Sequence, residues 1–206
     1  MKEPQFYTYA LAGGVASAGL FAYLAGSPFV FMQLYDVSEQ QYGGIFALIA
    51  AGLITSSQLN NLLLRKYNSG QIMKTVLLLQ TTIGILLFTG TVADVLGLYG
   101  TIFLIFLFLS CQGFSFPNSA ALSMAPFTKE AGSASALMGA LQMGLGSLAS
   151  AAVGLMGAST AMPMTGIMAG CTAIGLIILM IGSRKIQFKA RDRDIEEQTL
   201  DLIEKY

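Results

Sequence analysis

The chain has 206 residues, 54% of them apolar and only 11% charged, and its formal net charge is zero. A soluble domain usually carries about 25% charged residues, so this composition excludes an ordinary water-soluble fold, and the balanced charge gives no basic signal for nucleic acid. The absence of histidine removes the commonest metal ligand and the usual proton switch near neutral pH, so neither metal nor cofactor is expected.

Charges cut the chain into uncharged runs at 4–35, 40–64, 75–93, 95–128 and 131–183. Crossing the hydrocarbon core takes about 20 apolar residues as helix. The first four runs hold one span each. The fifth is too long for one helix and breaks at Gly157-Ala158-Ser159-Thr160-Ala161-Met162-Pro163, where small residues and a proline read as a tight turn. The expected spans are 7–32, 40–63, 72–93, 98–124, 131–156 and 163–183. Strands of a membrane barrel would be about ten residues of alternating polarity. These runs are continuous and rich in Leu, Ala, Gly and Met, which predicts an all-α membrane protein whose helices satisfy their own backbone in lipid.

The first span follows residues 1–6, a short N-terminal segment. Its apolar stretch exceeds the about 7–15 residues of a cleaved leader, so it reads as a true span. It carries Tyr23 and the interruption Gly26-Ser27-Pro28-Phe29. The second span has small residues at Gly44, Ala47, Ala51 and Thr55, with Gln58 toward its far end. The third is bulky and aliphatic. The fourth holds Gln112 and the interruption Phe116-Pro117-Asn118-Ser119. The fifth repeats Gly132, Ala136, Ala140 and Gly144 every fourth position, a smooth stripe of the kind that lets membrane helices approach closely, and ordinary helix packing accounts for it. It also carries Met138 and Gln142. The sixth is again aliphatic, and 184–206 reads as a solvated cytosolic tail. Cys111 and Cys171 fall inside spans, so no disulfide framework is expected.

The two halves match. A proline-interrupted span, a small-residue span and an aliphatic span recur in order, which predicts a 3+3 inverted repeat, the build of secondary transporters. With six spans, the basic residues (Lys2, Arg65, Lys66, Lys74, Lys129, Arg184 and those of the tail) all fall on the side of the N-terminus, while the opposite loops hold Asp36, Glu39 and Asp94. By the positive-inside rule both termini are cytoplasmic.

No charged residue lies deep in a span, so this segment has no evident proton relay of the kind pumps use, and no catalytic constellation; it reads as not an enzyme. The polar groups within the spans are Tyr23, Ser27, Gln112, Asn118 and Gln142, with Gln58 toward the inner end of the second, and each is expected to face helices or a cavity rather than lipid. Buried amides need partners, and helix-to-helix hydrogen bonding is the simplest use of them. With Met138, and with Phe114, Phe116 and Met143 beside them, they are also candidates to line one cavity for an apolar, drug-like molecule.

AGSPFVF (25–31), SQLN (57–60), FPNSAALSMAPF (116–127) and AGSASALMGALQMGLG (131–146) resemble the Bcr/CflA group of drug/proton antiporters within the major facilitator superfamily. The likeness runs from about residue 5 to 186 and looks like the C-terminal half of that fold. It implies a transporter of two six-helix bundles in a bacterial inner membrane, exporting drug-like compounds against protons. In that family the proton-binding acid and its partner arginine lie in the other half, so this chain would supply substrate contacts and pair with an N-terminal half or a second copy of itself. Two other readings stay open: a membrane interaction or assembly protein, or inactive fragment, without transport, and a metabolite exporter of the same superfamily.

Overall fold

The computed structural model describes residues 3–127, 130–157 and 159–204, with side chains through Arg184 and at Ile186. The expectations for Lys2, Lys129 and the side chains of the basic tail therefore lie outside the described residues, as does Ala158 of the turn.

Six long helices make up the fold, and among the described residues there is no strand: α1 (Pro4–Pro28, extended by a π-helical segment Phe29–Leu34), α2 (Glu39–Leu63), α3 (Ser69–Val92), α4 (Gly97–Met124), α5 (Ala131–Leu155) and α6 (Met162–Glu204). All six are long and apolar enough to cross a membrane, α6 over Met162–Arg184. Each expected span is present, with ends shifted by a few residues. Pro4 starts α1 three residues early, because its fixed φ suits the first helical turn and the helix needs no N–H there. Ser38 and Asn68 set the starts of α2 and α3, each accepting from the backbone N–H of the glutamine three residues on, Gln41 and Gln71.

Proline does not break either interrupted helix. After Pro28 the chain widens into wider-than-α turns, with Tyr35 N–H donating to Val30 O at 3.2 Å and Val37 N–H to Phe31 O at 3.0 Å. Past Pro117, the Asn118 side chain donates to Phe114 O at 2.8 Å, serving a carbonyl in the interrupted turn. The α5–α6 turn uses Gly157 at φ +78°, a left-handed geometry that a side chain would strain.

The packing obeys the inverted repeat. α1 lies mainly against α6 and α5, α4 mainly against α3 and α2, α1 and α4 meet at the centre, and α3 and α6 meet at the back. Exchanging the first triplet for the second leaves this pattern unchanged. The central position of α1 explains its composition: Ala12, Gly13, Ala16 and Gly19 are buried and let neighbours approach closely. A methyl group added at Gly175 of α6 would sit 2.9 Å from the Ala12 carbonyl oxygen.

α2 and α5 are the least covered spans, with 17% and 22% of their apolar windows buried against 56% for α1. This corrects the packing expectation for their small residues. Gly44, Ala47, Ala51 and Thr55 on α2, and Gly132, Ala136, Ala140 and Gly144 on α5, all face out of the bundle. The space over Gly44, Gly132 and Gly144 is open to 4 Å. The glycines that make close contacts inside the bundle are others, among them Gly52 and Gly113 between α2 and α4, and Gly146 against Phe21.

Candidate functional site

Of the polar groups expected to avoid lipid, Tyr23, Ser27, Gln112, Asn118 and Gln142 are buried, whereas Gln58 is exposed on the outer face of α2. Relative exposure is 1% at Tyr23, 3% at Gln112, 1% at Asn118 and 6% at Gln142. In a bilayer core, water is absent and each such group must find partners inside the protein.

α4 carries Gln112 and Asn118, and its neighbours supply their partners. Gln80 of α3 donates through Nε2 to Gln112 Oε1 at 2.9 Å, and Ser115 Oγ donates to Gln80 Oε1 at 3.4 Å. One turn further along, Asn118 Nδ2 donates to Asn60 Oδ1 of α2 at 2.6 Å. Thus α4 is tied by amides to α3 on one side and to α2 on the other. Gln142 lies elsewhere, on α5 beside Gly14 of α1, where a methyl at Gly14 would meet its Cγ at 3.7 Å.

Tyr23 belongs to an aromatic and hydroxyl cluster where α1 faces α2. Its ring stacks on Phe46 at 6.3 Å between centroids, and Phe46 also touches Tyr42, which in turn meets Phe31. Ser27 and Tyr42 share a hydrogen bond of 2.9 Å between their hydroxyls. Phe46 is 40% exposed, so this cluster reaches the open side of the bundle.

Among the described residues, Tyr23 OH, Gln112 Nε2 and Asn118 Oδ1 are buried and make no hydrogen bond of good geometry, Ser27 being the polar neighbour of the Tyr23 hydroxyl. A buried group in that state costs about 1–3 kcal/mol. The three comprise a hydroxyl, an amide donor and an amide acceptor, each at a different place in the bundle. Side chains that an apolar molecule would touch stand outward nearby in sequence: Phe116 on α4 is 48% exposed and Met143 on α5 is 61% exposed.

The structure does not bring every candidate together. Met138 packs at the end of the bundle with Phe6, Ala10 and Ala134, apart from the amides. Gln112, Asn118 and Gln142 sit at three different helix contacts, and none of them lines the clefts at either end of the bundle. Sequence reasoning missed Asn60 and Gln80. The signal was there: Ile49, Gly52, Ser56 and Asn60 are spaced as one helical face and are the buried residues of α2, whereas Gln58 falls off that face and is exposed.

Comparison with known proteins bears on what such a bundle belongs to. No family model matches the chain. It is 31% identical over 179 residues, 85% of its length, to the uncharacterized MFS-type transporter YdgK of Bacillus subtilis, covering 43% of that protein. The likeness is to part of a major facilitator transporter. A second relative, the bicyclomycin resistance protein homolog of Haemophilus influenzae, is 24% identical over 176 residues, again 85% of this chain and 44% of the relative. The chain thus spans less than half the length of the curated relatives it matches. Six apolar helices and these relatives together make this a multi-pass membrane protein.

Proposed function

We propose that the chain is the C-terminal six-helix half of a major facilitator exporter of drug-like molecules, supplying substrate contacts while the proton-coupling acid resides in the other half. The observation that carries this reading is the asymmetry of its surface. The aliphatic helices α3 and α6 lie at the back, while small residues on α2 and α5 stand outward with open space above them. Against lipid alone such stripes gain little; against a second bundle they permit close helix contact. The bundle that fits has the length missing relative to the relatives, more than half of each.

Substrate selection follows from the polar atoms. Tyr23, Gln112 and Asn118 offer uncharged hydrogen bonds, Phe46, Phe116 and Met143 offer adaptable apolar contact, and no span buries a charge. A neutral or weakly polar multi-ring compound matches this set. The Haemophilus relative's name, a bicyclomycin resistance protein homolog, supports a drug-like substrate. Charge placement orients the half: Arg65, Lys66, Lys74 and Arg184 lie at the cytoplasmic end, and Asp36 and Asp94 at the opposite end.

The test is binding of a fluorescent drug to the chain in detergent or nanodiscs, before and after Asn118→Leu and Gln142→Leu. Loss of binding with folding retained supports a substrate role. Unchanged binding assigns these amides to helix packing and favours an assembly protein without transport.

A further inference from the structure

A cleft of about 820 Å³ opens at the end of the bundle that carries the basic residues, between α1, α3, α4 and α6. Its walls differ in kind. Leu122, Leu179 and Met180 supply apolar lining, Tyr9, Asn68, Gln71 and Ser183 polar lining, and Lys74 of α3 and Arg184 of α6 both border the same cleft. Both cations are exposed, and among the described residues neither has an ion-pair partner. Among the described residues, no carboxylate lines the cleft. The cleft at the other end, about 430 Å³, is lined by Asp94 and, among the described residues, by no base.

The geometry points to a binding site for the phosphodiester headgroup of an anionic phospholipid, with the first acyl carbons on the apolar lining and the phosphate between Lys74 and Arg184. Two cations facing one cavity without a counter-ion attract a monoanion, and basic pockets between helices on the cytoplasmic side suit such headgroups. The apolar lining selects between sources of the phosphate. A free inorganic anion has no use for Leu179 and Met180, whereas a glycerophospholipid has an apolar portion to place there. α3 and α6, which carry the two cations, are the aliphatic, lipid-facing pair, so a lipid reaches the cleft from the membrane. The inference is independent of substrate export, since none of these residues belongs to the Tyr23, Gln112 and Asn118 set.

The experiment is native mass spectrometry of the full chain, delipidated in detergent and titrated separately with phosphatidylglycerol, phosphatidylcholine and inorganic phosphate. Phosphatidylglycerol is expected to be retained over phosphatidylcholine by on the order of tenfold. K74Q/R184Q loses that preference, while R65Q/K66Q, which removes two cations of the same end outside the cleft, keeps it. The charge-keeping K74R/R184K also keeps it. Retained preference in K74Q/R184Q, equal loss in R65Q/K66Q or in K74R/R184K, or displacement of phosphatidylglycerol by inorganic phosphate would each overturn the site.

Discussion

Asn118 and Asn60, 58 residues apart in sequence, meet at 2.6 Å between Nδ2 and Oδ1 in the contact of α4 with α2. The pair is buried, with 1% and 2% exposure, and it joins the central helix of one triplet to the open flank of the bundle. It also leaves Asn118 Oδ1 unpartnered, so the same residue both packs the helices and offers an acceptor.

The two amides should therefore be energetically coupled. Asn60→Ala and Asn118→Ala, alone and together, are expected to give a coupling of about 0.5–1.5 kcal/mol in a double-mutant cycle, the usual range for interhelical hydrogen bonds in membranes. Unfolding in mixed detergent measures it. Strict additivity would mean that the bond is not formed in the folded chain.

Gln112→Leu strands the Gln80 amide that it now receives. A loss of about 1–3 kcal/mol is expected, and adding Gln80→Leu should restore most of it, because removing both partners is far cheaper than removing one. A double variant no better than the single one would show that Gln80 is satisfied elsewhere.

Glycines inside and outside the bundle should behave oppositely. A methyl group on Gly113 overlaps the Leu53 carbonyl oxygen and Ser56, so Gly113→Ala is expected to destabilise by about 1–3 kcal/mol. Gly144 meets nothing within 4 Å, so Gly144→Leu should leave the stability of this chain unchanged while weakening association with an N-terminal half. Thermal unfolding and co-purification separate the two effects. Destabilisation by Gly144→Leu in isolation would place that face inside the bundle.

Cysteines placed at Arg65 and Asp94 should label from opposite sides of the membrane, Arg65→Cys only after the inner side is made accessible. The two positions flank single helices of an antiparallel bundle, at the ends of α2 and α3. Labelling of both from one side would remove the six-span topology.

Much of this architecture was legible in the charge spacing, because a span must be uncharged and about 20 residues long whatever it packs against. Of the helix ends, the turn after α5 was legible from Gly157 and Pro163, whereas the caps Ser38 and Asn68 were not read and α3 begins at Ser69, three residues before the expected 72. The helix faces were not legible. Gly44 and Gly52 look alike in sequence, yet Gly44 opens outward while Gly52 lies against Phe106. Only the arrangement of helices decides which stripe is used inside. For the candidate site, Tyr23, Gln112, Asn118 and Gln142 were foreseen as buried, since a polar group at mid-depth must avoid lipid. Their distribution over separate contacts was not, and Asn60 and Gln80 emerged only once their partners on α4 were in place. Met138 shows the limit of pattern reading: a methionine four residues before Gln142 lies one turn away, at the Phe6 cluster.

The most direct test of the central claim is drug efflux in inverted membrane vesicles containing this chain alone, or this chain co-expressed with the six-helix N-terminal half of a related transporter. The account predicts proton-driven efflux and co-purification only when both halves are present. Robust efflux by the chain alone, or failure of the two halves to associate, would contradict it.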